Sequence, residues 1–214
     1  MRTLIERARP DRPARRRIIL LPAAFSEPEA FVQAGFVAAV RARALDLDLL
    51  LAAPELAHVT DRTVLAQIET ELVAPARAEG IAVWLGGISL GGFIALACAA
   101  RTPRAYAGLC LLAPYLGSHL ITDEVGTFGL AAWEPGADSG DEERHIWRFL
   151  KHRSPAELPI HLGLGREDRF AARHRVLAAA LSAQEVDTVA GGHDWPTWHR
   201  LWENFLDAHF PVGS

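Results

Sequence analysis

Short, nearly unbroken apolar runs recur along the chain at 18–21, 46–51, 81–85, 108–113, 160–164 and 186–190. Runs of that length are what strands buried on both faces of a parallel sheet require. The stretches between them show helical spacing instead. Phe31, Phe36, Val37 and Val40 share one side of a helix predicted to run to about Ala44, opened by a Ser-x-x-Glu capping box at Ser26 and Glu29. Val64, Leu65, Ile68, Leu72 and Val73 do the same for a helix from Asp61. Pro75 should kink or end it, because proline lacks an amide hydrogen and crowds the preceding turn. Further helices are predicted over 93–100, 171–181 and 196–210. Between 115 and 158 the rhythm breaks, and only 141–151, with Ile146, Trp147 and Leu150 on one side, predicts a helix. Six strands alternating with helices predict an α/β fold, a mostly parallel six-stranded sheet with helices on both faces.

The third predicted strand runs into Gly87-Ile88-Ser89-Leu90-Gly91 at the start of the next helix. Gly-x-Ser-x-Gly in that position is a nucleophile elbow: the sharp turn lifts the serine above the sheet edge, and the glycines let strand and helix approach. A serine hydroxyl is a weak nucleophile at neutral pH, so it needs a base within reach and a group that orients the base. In an open parallel sheet the loops at the strand C-terminal ends converge on one crevice, so these partners should follow strands. Of the nine histidines only His193 directly follows one, in Gly191-Gly192-His193-Asp194, while His58 is a more distant candidate after the second strand. His119, His145 and His152 lie in the irregular stretch, and His161 lies within a strand. His174, His199 and His209 fall on helices, where a solvated ring is the simple reading. For the acid, Asp168 follows the fifth strand in Gly165-Arg166-Glu167-Asp168. Its neighbour Glu167 is expected to face solvent, and Asp123 is a second alternative. The acid would hold one imidazole tautomer and stabilise the imidazolium that forms when Ser89 loses its proton.

Composition works mainly by exclusion. The 214 residues, half of them apolar and 22% charged, suit one domain with a substantial core. A net charge of −4 offers no polyanion-binding surface, so no nucleic-acid partner is expected. Residues 1–17 carry Arg2, Arg7, Arg9, Arg12, Arg15, Arg16 and Arg17, interrupted by Pro10 and Pro13. They read as a basic, mobile lead-in to a single domain over 18–214. Followed by the apolar stretch 18–25, this segment imitates a secretory signal, but the apolar part is short and is needed as the first core strand. A cytoplasmic location is therefore expected. No apolar run reaches the roughly 18 residues of a membrane span, so no membrane association is expected. Cys98 and Cys110 sit in apolar runs as small core residues, neither a disulfide framework nor a metal pair.

The elbow, the Gly165-Arg166-Glu167-Asp168-Arg169-Phe170 loop and the Gly191-Gly192-His193-Asp194-Trp195-Pro196 segment, in this order, resemble the α/β-hydrolase superfamily, and more narrowly small bacterial serine esterases. The resemblance spans 18–210 and implies the α/β-hydrolase fold, with Ser89 as nucleophile, His193 as base and Asp168 as acid. It further implies an oxyanion hole built from the backbone N–H groups of Leu90 and Ala24, with Ala23 or Phe25 as alternative donors. Pro22-Ala23-Ala24 stands where family members commonly show His-Gly. Only 17 residues precede Ile18, so the antiparallel strands that usually open the fold have little room, and a trimmed sheet is expected. Residues 115–158 occupy the place of a short cap or lid. Phe25, Tyr115 and Trp133 are expected to wall a substrate pocket, core packing being the other reading of such aromatics. The implied activity is hydrolysis of small or medium carboxylic esters through an acyl-enzyme, with no metal and no cofactor, on a small-molecule acyl ester. A thioesterase or acyltransferase would use the same residues. A non-catalytic binding protein on a hydrolase fold is the rival from another class.

Overall fold

In the computed structural model, which describes residues 1–55, 63–136 and 140–211, the apolar runs form six strands. These are β2 (Arg16–Leu21), β3 (Leu47–Ala53), β4 (Ala82–Ile88), β5 (Gly108–Leu112), β6 (Ile160–Gly165) and β7 (Val186–Val189). A seventh, β1 (Arg2–Glu6), joins them in the order β1-β3-β2-β4-β5-β6-β7. All neighbours are parallel except β1 and β3, which pair antiparallel from Arg2↔Ala53 to Glu6↔Leu49.

The expected mobile lead-in is therefore corrected: its first residues are an edge strand. The loop that follows is tied down by Asp48. This carboxylate is completely buried and accepts hydrogen bonds from Ala8 N at 2.9 Å and Ala14 N at 3.1 Å, with the Arg17 guanidinium 4.0 Å away. Asp48→Ala strands two backbone donors and a buried cation, at roughly 1–3 kcal/mol for each unsatisfied donor. Urea unfolding should show a loss of at least ~2 kcal/mol on that scale. A loss within experimental error would mean that the 7–15 loop contributes nothing to the fold.

Alternation along each strand feeds two helix layers. Ile18 and Leu20 of β2 pack with Phe31, Phe36, Trp198 and Phe205, from α1 (Glu29–Gln33), α2 (Phe36–Ala42) and α9 (Trp195–His209). Ile19 and Leu21 face the other layer. It holds α3 (Val64–Gln67), α4 (Ala74–Ala78), α5 (Leu90–Arg101), α6 (Leu120–Phe128), α7 (Glu142–His152) and α8 (Ala171–Ala179).

Three local expectations change. The helix predicted from Ser26 is two short ones, divided at Gly35, whose φ of +87° breaks the helical path. Ser26 caps neither; its N–H closes a turn to Ala23 O at 3.1 Å. Pro75 does not end its helix. The chain runs on from α3 into α4 through a π-helical segment, Ile68–Val73, whose wider turn accommodates the proline ring and its missing donor. The expected start at Asp61 lies outside the described residues. Finally, 115–158 supplies two helices to the α5 layer. In α7, capped by Asp141 accepting from Glu143 N at 2.9 Å, Ile146, Trp147 and Leu150 are buried, while α6 has no counterpart in the sequence reading. Trp133 is only 1% exposed, belongs to this core and donates its indole N–H to Glu124 at 3.2 Å, and it does not line the cleft beside Leu90. Among the described residues no helix is long and apolar enough to cross a membrane.

Candidate active site

The turn after β4 depends on absent side chains. A Cβ at Gly87 would sit 2.2 Å from Gly91 C, and one at Gly91 would sit 2.1 Å from Leu21 O, so neither position tolerates even alanine without movement of backbone. Between them Ser89 takes φ +52° and ψ −113°, a conformation costly for a residue with a Cβ. It is held there by Ser89 N donating to Leu112 O at 3.0 Å, and by Ser89 O accepting from Phe93 N at 3.1 Å and Tyr115 N at 2.9 Å. Strain is concentrated in this region. Of the five non-glycine residues with positive φ among the described residues, Phe25, Ser89, Ala113 and His119 follow β2, β4 or β5; only Ala44 lies elsewhere.

His193 arrives from β7 through Gly191, at φ +127°, and Gly192. A Cβ at Gly165 would press on Gly191 O at 2.4 Å, so the loops after β6 and β7 lie together because position 165 is glycine, while a Cβ at Gly191 would meet Thr197 Oγ1 at 2.1 Å. Glu167 N donates to Gly191 O at 3.0 Å, and the Glu167 carboxylate accepts from Gly191 N. Although exposed, Glu167 thus braces the histidine loop. Downstream, Asp194 caps α9, accepting from Thr197 N at 3.0 Å and from its hydroxyl at 2.6 Å. The His193 ring stands edge-on between Phe170 and Trp198, with centroids 5.1 and 5.0 Å away.

These loops bring Ser89, His193 and Asp168 together. Ser89 Oγ lies 3.0 Å from His193 Nε2, and His193 Nδ1 lies 2.7 Å from Asp168 Oδ2. The other Asp168 oxygen accepts from Phe170 N at 2.8 Å. Burial pushes the Asp168 carboxyl upward, but its bonds to His193 and Phe170 N outweigh burial and hold it below the usual carboxylate value. An ionised acid accepting from Nδ1–H leaves Nε2 unprotonated and facing the serine hydroxyl, the arrangement a general base needs. Asp123 is not brought here: it is an exposed residue of α6, with Arg173 3.9 Å away. His58 lies outside the described residues.

On the other side of the elbow, Leu90 and Ala24 line one cleft of about 460 Å³ with Phe25, Ile94, Glu27 and Glu55. Leu90 opens α5, so its N–H has no acceptor within the helix. Residues 23–26 close a tight turn with Phe25 at φ +61°, where glycine is the usual occupant. The Phe25 ring is 93% exposed above the cleft. Tyr115 is half-buried beside the elbow, its ring 6.1 Å from Phe93 and 6.3 Å from His119.

Two aromatic residues here escaped sequence reasoning. Phe170 follows Asp168 closely and could have been suspected from position. His174, expected to be solvated, is 1% exposed, with Nε2 3.0 Å from Pro114 O; its flanking arginines give no sign of this burial.

A parallel sheet with an antiparallel edge strand, a strained serine at the turn after β4, and an acid and a histidine after β6 and β7 define an α/β hydrolase. The chain belongs to the family described as "Putative esterase", whose model matches residues 58–208, and it is a carboxylesterase-like hydrolase. Solved structures share the fold at low identity. The monoacylglycerol lipase of Paleococcus ferrophilus superposes with a TM-score of 0.62 at 14% identity, covering 97% of this chain and 98% of that one. The S-formylglutathione hydrolase FrmB of Staphylococcus aureus gives 0.60 at 13%, covering 89% and 79%, and Est1E of Butyrivibrio proteoclasticus gives 0.59 at 14%, covering 95% and 92%. No curated protein matches the sequence.

Proposed function

We propose that the protein hydrolyses small or medium carboxylic esters through an acyl-enzyme on Ser89, with His193 as general base and acid and Asp168 as the orienting carboxylate. The observation that carries this reading is the unbroken hydrogen-bond chain from Ser89 Oγ through His193 to Asp168, at 3.0 and 2.7 Å. Ser89 Oγ attacks the ester carbonyl carbon as its proton passes to His193 Nε2. The developing oxyanion is received by the N–H groups of Leu90 and Ala24, which border the same cleft. His193 then gives its proton to the departing alkoxide and the alcohol leaves. A water enters, loses its proton to His193 and attacks the acyl carbon; collapse of that intermediate frees the carboxylic acid and returns the proton to Ser89.

The cleft supports a small-molecule substrate. Phe25, Ala23 and Ile94 offer it apolar surface, Glu27 and Glu55 add carboxylates, and Tyr115 stands on the opposite flank of the elbow. Across p-nitrophenyl esters of rising acyl length, kcat/KM should be highest for the short chains, with a burst of p-nitrophenol when acylation outpaces deacylation. A steady rise of kcat/KM toward long chains would contradict the small-site reading.

A further inference from the structure

We propose that His174 is a positioning residue for ester hydrolysis: by donating from Nε2 to the Pro114 carbonyl it locks the turn carrying Asp168 to the segment that holds Ser89. This inference rests on the triad reading above.

His174 is built onto the acid's own turn. Ala171 N donates to Asp168 O at 2.9 Å, and His174 N donates to Phe170 O at 3.0 Å, so its backbone is fixed within one turn of Asp168. Its side chain crosses to residues far away in sequence. Nε2 lies 3.0 Å from Pro114 O. A carbonyl only accepts, so Nε2 carries the hydrogen. In the neutral ring Nδ1 is then an acceptor, and it is buried with no protein partner among the described residues. Leaving such an atom unsatisfied is a cost that leucine or phenylalanine would avoid, so the bond to Pro114 is what distinguishes histidine from an apolar filler here.

Pro114 sits against the nucleophile. Ala113, at φ +45°, turns the chain off β5, and its N–H donates to Gly163 O at 2.8 Å. On the other side of Pro114, Tyr115 N donates to Ser89 O at 2.9 Å. A Cβ on Gly92 would come within 2.8 Å of the proline ring, so this segment lies directly on the first turn of α5. The path Ser89 O, Tyr115 N, Pro114 O, His174 Nε2 therefore joins nucleophile and acid loop without passing through His193. With the serine–histidine–aspartate chain it closes a loop of hydrogen bonds around the base. Burial also holds the His174 imidazole below its ordinary value, against the upward pull of the Asp168 charge and the bond to Pro114 O.

Two substitutions separate positioning from filling. Glutamine can place its amide nitrogen near the position of Nε2, whereas asparagine is too short to reach Pro114 O. His174→Gln should keep the wild-type kcat. His174→Asn should lower kcat, and the rate of Ser89 acylation by a fluorophosphonate, by about tenfold to hundredfold with KM unchanged. A folded His174→Asn with wild-type kcat overturns the proposal, as does equal impairment of both variants. Should neither variant fold, the imidazole nitrogen chemical shifts of His174 in the wild type decide: a neutral ring protonated at Nε2 agrees, and one protonated at Nδ1 refutes it. Failure of the triad reading looks different, because the wild type itself would then neither hydrolyse esters nor become labelled.

Discussion

Ser89→Ala should lower kcat for ester hydrolysis by about 10⁴- to 10⁶-fold while leaving the fold intact. The elbow is shaped by Gly87 and Gly91, which strand and helix need in order to touch, and not by the serine side chain. Among the described residues the Ser89 hydroxyl bonds only to His193, so its removal releases a base without leaving a buried donor stranded. Alanine tolerates φ +52° about as poorly as serine does, which leaves the backbone cost unchanged. What survives is the cleft and its N–H groups, and these supply only residual acceleration. Steady-state hydrolysis of p-nitrophenyl acetate by the purified variant measures the loss. Turnover within about tenfold of wild type would place the nucleophile elsewhere.

Asp168→Asn should lower kcat by about 10²- to 10⁴-fold, again with the fold intact. The amide is the same size as the carboxylate and can still accept from Phe170 N through its oxygen. Its NH₂ then faces His193 Nδ1, which must turn acceptor, and the ring proton moves to Nε2, where it blocks the serine's proton. The pH dependence carries a second sign. The folded carboxyl is held below its ordinary value, so Asp168 contributes stability that is present above the unfolded carboxyl's value and lost as pH falls through the lowered one. The asparagine variant should lack that acid-side contribution. Near-normal turnover would assign the orienting role to another carboxylate, although Glu167 is already engaged by Gly191 N.

The central strands and the sharp turns that carry the candidate site were legible in the sequence, and the edge and helix boundaries of the fold were less so, for a physical reason. Ser89, Asp168 and His193 each follow a strand whose apolar run is continuous because it is buried on both faces, and the glycines at 87, 91 and 191 mark where the chain must turn sharply. Strand β1 gave no such signal. It lies at the sheet edge, its Ile5 is exposed, and the loop after it is held by Asp48, a contact across 34 to 40 positions that no local pattern encodes. The division of α1 from α2 turns on the positive φ of Gly35, beside His199, and the survival of the helix through Pro75 turns on a π-helical segment; neither changes the spacing of apolar residues. Trp133 and Tyr115 look alike as aromatics in an irregular stretch, yet one fills the core and the other flanks the elbow. The loop at 22–25 was the least legible part, because the role proposed for it is a backbone N–H and no side chain announces such a role.

Intact-protein and peptide mass spectrometry after reaction with a fluorophosphonate tests directly whether Ser89 is the nucleophile. One adduct per chain is expected, mapped to Ser89, absent from Ser89→Ala and slowed in Asp168→Asn. An intact, folded protein that acquires no adduct, or carries it on a residue other than Ser89, would contradict it.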